Sequence, residues 1–228
     1  MITQPVIDTA YLSAEGYMDF NHPAIAAFAA EHGTGATDTE KAVNLYYAVR
    51  DGFLYDPYHV NMGHHELLAS TTLLRGSGYC VEKANLLGAV ARYHGIPTRL
   101  GFAIVRNHIG TEKLQRILKS DLFVFHGYTE LFLNNQWVKA TPAFNKTLCE
   151  KFGVAPLEFD GVTDSVFQEY TPGGEKHMDY VHDYGIFAEV PRDMMVAELK
   201  KHYPHLFEKN SVHGTSGRYF TTGEESEN

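Results

Sequence analysis

Cys80 sits between Gly76-Ser77-Gly78-Tyr79 and Val81-Glu82-Lys83-Ala84. This places a thiol just after a Gly-rich turn, at the first turn of an expected helix. There, backbone N–H groups and the positive end of the helix dipole favour the thiolate, which is the nucleophilic form. A cysteine nucleophile needs a base within reach, and the base needs a third group to orient it. His126 closes the apolar run Leu122-Phe123-Val124-Phe125 and is the imidazole that a strand would present; His108, at the end of another run, is the alternative. The implied chemistry is acyl transfer: sulfur attacks a carbonyl, a thioester forms, and water or an amine releases the acyl group. Residue types alone do not require this. A lone helical cysteine is more often a small buried hydrophobe, and with 13 histidines some imidazole will lie near it by chance. The argument for reactivity is the position at the front of the helix.

The elements that would hold these groups can be read from capping and periodicity. Asp19 to Pro23 reads as a helix start, continued by the Ala-rich stretch to Glu31 and closed at His32-Gly33. Thr37 with Glu40 three residues on forms a capping box that opens a second helix, ending near Gly52 with Val43, Tyr46, Tyr47 and Val49 on its apolar face. Pro57 disfavours helix at Asp56, so Phe53–Tyr58 is extended or a turn. The cysteine helix is expected from Cys80 to about His94, with Cys80, Ala84, Leu87, Val90 and Ala91 on one stripe; Gly95 then Pro97 end it. Strand candidates follow at Arg99–Val105, Leu122–His126, Tyr128–Leu133 and Trp137–Thr141, with a turn at Asn134-Asn135. A hairpin centred on that turn pairs positions summing to about 269, which puts Thr141 opposite Tyr128 and diagonal to His126. Helices followed by consecutive strands predict an α+β fold, an antiparallel sheet packed on the cysteine helix. After Cys149 the pattern loosens, apart from a helix at Arg192–His202.

The chain has 228 residues, 44% of them hydrophobic and 21% charged, with a formal net charge of −9. That supports a single domain over residues 1–220, with a polar tail at 221–228 expected to be disordered. The acidic balance, without a cluster of Lys and Arg, argues against a nucleic-acid partner. No run reaches the roughly 18 apolar residues of a membrane span, and the N-terminus lacks the pattern of a secretory signal. Two cysteines are too few for a disulfide scaffold and suggest a reducing, cytoplasmic setting. His64-His65-Glu66 has ligand-type residues, but adjacent side chains point apart and the spacing of a zinc helix is missing, so no metal is expected there. No motif calls for a cofactor.

Taken together, Gly-Ser-Gly-Tyr-Cys80, Glu82 to Leu87, Gly95-Ile96-Pro97-Thr98-Arg99-Leu100-Gly101-Phe102, His126-Gly127-Tyr128-Thr129-Glu130-Leu131 and Trp137-Val138-Lys139-Ala140-Thr141-Pro142 resemble the transglutaminase-like superfamily. The resemblance covers roughly Asp19 to Asn145, which implies a domain core at about 19–145 and an extension at 146–220. It implies a papain-related fold and a Cys-His-Asp triad, with Cys80 matching the nucleophile and His126 the base. The third position departs: where the family has Asp followed by Pro, this chain has Thr141-Pro142. A hydroxyl can accept an imidazole N–H but brings no charge to stabilise imidazolium. Asn145 is a substitute orienter, with Glu130 and Asp121 behind it. Three readings stay open: a cysteine protease or amidase acting on a peptide, isopeptide or other amide; a weak or inactive fold used as a binding module; and an amine acyltransferase. Neither substrate nor oligomeric state is specified.

Overall fold

The computed structural model describes residues 7–107, 112–167, 178–208 and 220–221. His108 and tail residues 222–228 lie outside them; Thr221 belongs to a short strand. The helices are α1 (Pro23–His32), α2 (Asp38–Gly52), α3 (Ala69–Arg75), α4 (Cys80–Tyr93), α5 (Glu112–Leu118), α6 (Lys146–Phe152) and α7 (Arg192–His202). The strands are β1 (Leu54–Tyr55), β2 (Val60–Asn61), β3 (Ser77–Gly78), β4 (Thr98–Asn107), β5 (Leu122–Leu133), β6 (Gln136–Ala140), β7 (Met178–Phe187) and β8 (Phe220–Thr221). The architecture is the expected α+β, with an antiparallel sheet ordered β6-β5-β4-β7 against α4.

Helix boundaries follow local chemistry. At α2 the Thr37 hydroxyl accepts the Glu40 N–H at 3.2 Å and the Glu40 carboxylate accepts the Thr37 N–H at 3.1 Å, completing the capping box. Pro23 opens α1, where its missing N–H costs nothing. The Gly-rich stretch before Cys80 is not one turn. Gly76 takes φ 74° as the left-handed end of α3, a helix the sequence did not announce, and Ser77–Gly78 then pairs in parallel with Leu54–Tyr55. Cys80 therefore follows a strand paired to β1, which fixes where the helix begins.

The sequence predicted an apolar stripe on α4, but every residue from Cys80 to Arg92 is buried. The cause is packing from all sides: α1, α2 and α3 flank the helix and β4 and β5 close over it. Its polar side chains find partners inside. Lys83 donates to the Arg50 and Phe53 carbonyls, Asn85 to those of Tyr17 and Leu67, and Arg92 to Thr98, Ser13 and Ala188.

The two strand candidates at 122–126 and 128–133 are one strand, β5. It carries an extra residue where pairing with β4 moves from Ala103↔His126 to Val105↔Phe123, and Phe125 at φ 64° takes up the bulge. The β5–β6 hairpin turns at Asn134 and Asn135, both with positive φ, and runs in the expected register, with Thr129 opposite Ala140. The sequence pattern missed two elements here: α6, which spans Cys149, and β7, which joins the sheet along the free side of β4.

Candidate active site

Cys80 is the first residue of α4 and 9% exposed. Three backbone N–H groups face its sulfur: its own, that of Val81 in the first turn, and that of Gly127 on β5. All three favour the thiolate. Burial opposes them and prevails, pushing the thiol up to about 11, with Glu82 two residues on adding in the same direction.

The Gly127 amide reaches the sulfur because β5 crosses the tip of α4. Thr129 donates its hydroxyl to the Ala84 carbonyl at 2.8 Å, and Gly127 lies against Val81. These alternate residues face the helix; Tyr128 between them lies against Gly101, and by the same alternation His126 takes Tyr128's face. The imidazole is 3% exposed and packs on Phe167, with ring centroids 5.4 Å apart. Phe167 packs at a tilt against Phe144, and Phe144 edge-to-face against Tyr55, which lines the space in front of Cys80, so a run of aromatic rings joins the base to the nucleophile. Burial depresses the imidazole to about 4, and its Nε2 has no hydrogen-bond partner among the described residues.

The structure thus brings His126 to within one residue of the amide on the Cys80 sulfur, while no hydrogen bond among the described residues joins sulfur to ring. With burial holding the thiol up at about 11 and the imidazole down at about 4, the proton stays on sulfur. The resting pair is neutral.

The candidates for a third group separate clearly. Asn145 is committed: its oxygen accepts the Tyr55 N–H at 3.1 Å and its nitrogen donates to Thr147 at 2.6 Å. Glu130 pairs with Arg99 at 2.6 Å, and Arg99 lies over the Trp137 ring. Asp121 pairs with Arg106 at 2.9 Å. Thr141, 1% exposed, has a buried hydroxyl without a partner among the described residues. The β5–β6 register continued by one step sets it opposite Tyr128 and diagonal to His126.

Sequence reasoning passed over Gly127 and Glu82 as functional neighbours. Glu82 accepts the Tyr79 N–H at 3.0 Å, and its other oxygen lies 2.7 Å from the Arg75 guanidinium. The pattern Cys-x-Glu at a helix start could have announced the cap. The His64 ring bonds the Tyr17 hydroxyl at 2.9 Å, and among the described residues no group of three or more His, Cys, Asp or Glu could hold a metal ion.

A family model described as the transglutaminase-like superfamily matches residues 26–142. No curated protein matches the chain. Among solved structures, a "Putative Cysteine Protease from Cytophaga hutchinsonii" is similar at 16% identity with a TM-score of 0.44, over 58% of this chain; the chain spans 40% of that protein's chain.

Proposed function

The chain belongs to the transglutaminase-like superfamily, and from that premise we propose that it is a cysteine-dependent acyl-transfer enzyme acting on a peptide, isopeptide or other amide. The observation that carries this is Cys80 at the front of α4, with the amides of Val81 and Gly127 aimed at its sulfur. The Cys80 sulfur attacks the amide carbonyl and forms a C–S bond. His126 takes the thiol proton and passes it to the leaving nitrogen as the C–N bond breaks. Water then cleaves the thioester, giving the acid and restoring the thiol. Thr141 is the proposed orienting position, a weak one because it is uncharged. Cys80 and Cys149 are both unpaired, in keeping with a reducing compartment, and among the described residues no helix is long and apolar enough to cross a membrane.

The test is alkylation by iodoacetamide, with cleavage of a peptide library read alongside. Cys80→Ala removes both turnover and the faster labelling phase. Labelling of wild type rises with pH well beyond 8, because the thiol lies near 11. If Cys149, which is 2% exposed, labels faster than Cys80, the reading fails.

A second reading has its own support. The His126 Nε2 and the Thr141 hydroxyl are both buried without partners among the described residues. That is the state of a site retained as a binding module with little or no catalysis. A carboxylate introduced at position 141 separates the two readings.

A further inference from the structure

A cavity of about 60 Å³ opens at Cys80. Its walls include Leu118, Val124, Met195, Leu199 and Phe220, and no charged side chain lines it among the described residues. Tyr55, Tyr79 and Tyr203 lie on its wall, and the last two have their hydroxyls engaged elsewhere. Tyr79 reaches the Met195 sulfur at 3.7 Å; Tyr203 donates to the Leu122 carbonyl at 2.6 Å and accepts the Val124 N–H at 3.1 Å. Neither hydroxyl is free to recognise a polar substituent. Met195, Leu199 and Phe220 come from α7 and β8, beyond residue 142 where the family match ends. The wall they form lies outside the segment that matches the family.

Resting on the acyl-transfer reading, we infer that this cavity is the acyl-side specificity pocket, taking a branched aliphatic side chain of leucine size next to the carbonyl attacked by Cys80. Size favours a compact group: where a single water needs at least about 10–15 Å³, 60 Å³ suits a few heavy atoms, nearer the side chain of leucine than a fused ring. Composition sets the rest: a carboxylate or ammonium entering here would lose its hydration and meet no counter-charge.

Cysteine-directed reagents test the pocket without requiring turnover. Cys80 is labelled with iodoacetamide, N-isobutyl iodoacetamide, N-(1-naphthyl) iodoacetamide and iodoacetate, and the Cys149 background is taken from Cys80→Ala. After correction for each reagent's rate with a free thiol, the isobutyl reagent reacts at least tenfold faster than the naphthyl reagent and than iodoacetate. Leu199→Ala, which widens the wall, narrows the isobutyl-to-naphthyl ratio at least threefold. Equal corrected rates for the isobutyl and naphthyl reagents, or a preference for iodoacetate, overturn the proposal, and the wild-type series decides this even if the variant fails to fold. Turnover is scored separately with 4-methylpentanoyl and acetyl amides. The labelling preference without Cys80-dependent turnover supports the pocket and sinks the acyl-transfer reading. Turnover with no preference for the branched acyl group does the reverse.

Discussion

A β-carbon placed on Gly127 would stand 3.1 Å from the Val81 α-carbon and 3.2 Å from the Phe102 ring, so β5 and the first turn of α4 meet almost backbone to backbone. This contact carries the Gly127 amide to the Cys80 sulfur. Gly127→Ala is therefore a local wedge. The Val81 backbone cannot yield without moving the helix start, and overpacking of this kind costs about 1–3 kcal/mol. The variant should melt lower and label more slowly at Cys80, having moved one of the N–H groups that favour the thiolate. Unchanged labelling in a destabilised variant would show that the Gly127 amide does not tune the sulfur.

Glu82 and His126 give opposite pH slopes. Burial is the main cause in both, lifting the Glu82 carboxyl from 4.5 to about 7 despite Arg75, and lowering the His126 ring from 6.5 to about 4. A raised acid favours folding in its protonated form, so the Glu82 contribution is complete below pH 4.5 and lost as pH rises through 7. A depressed base favours folding when neutral, so the His126 contribution is complete above pH 6.5 and lost as pH falls through 4. Between these limits the two offset each other. Glu82→Gln keeps an acceptor for the Tyr79 N–H but removes one slope. The variant should lose about 2–3 kcal/mol more than wild type between pH 7 and 4.5, measured by urea unfolding. Parallel profiles would mean that Glu82 does not titrate in this range.

Lys83 sits under the end of α2 and donates to the Arg50 carbonyl at 2.9 Å and the Phe53 carbonyl at 2.7 Å. Burial lowers its ammonium from 10.5 to about 7. A neutral amine has two N–H groups, which match the two carbonyls. Its contribution is complete above 10.5 and lost as pH falls through 7. Lys83→Met strands both carbonyls and should cost about 1–3 kcal/mol at pH 9.5. Near pH 6, wild type bears the cost of burying a charge, so the variant should be equal to it or more stable. The same loss at both pH values would contradict this account.

What the sequence disclosed and what it hid divide along the range of the interactions. The Thr37–Glu40 capping box, the Asn134-Asn135 turn and the hairpin register are settled by residues a few positions apart, and all three form as expected. β7 stayed hidden because its partner is β4, some 80 positions earlier, and a strand with exposed and half-buried positions lacks a clear period. The bulge at Phe125 split one strand into two apparent runs. The apolar stripe of α4 was legible but its full burial was not, since Glu82, Lys83 and Arg92 find Arg75 and the carbonyls of Arg50, Phe53 and Ala188 only in the folded chain. The place of Cys80 at the front of α4 and that of Thr141 in the register were legible. The commitments of Asn145, Glu130 and Asp121 were not, because Tyr55, Arg99 and Arg106 reach them from distant segments or neighbouring strands.

Thr141 is where the site's chemistry can be changed by one side chain. Its hydroxyl is buried and unbonded among the described residues, so Thr141→Val should shift stability by no more than about 1 kcal/mol in either direction. A loss of several kcal/mol would reveal a partner for the hydroxyl. Thr141→Asp is the informative change. A carboxylate diagonal to His126 favours imidazolium, and each pKa unit gained by the ring eases proton transfer from Cys80 by about 1.36 kcal/mol, tenfold in the charged pair. Burying the new charge costs stability, which a thermal melt measures. In the variant that remains folded, Cys80 should alkylate at least tenfold faster at pH 7, with the alkaline limb of its pH profile moved down and any amidase turnover rising in parallel. A folded Thr141→Asp protein that labels and turns over as wild type does would remove position 141 from the constellation. It would leave a thiol and an imidazole that are neighbours through Gly127 without being a working pair.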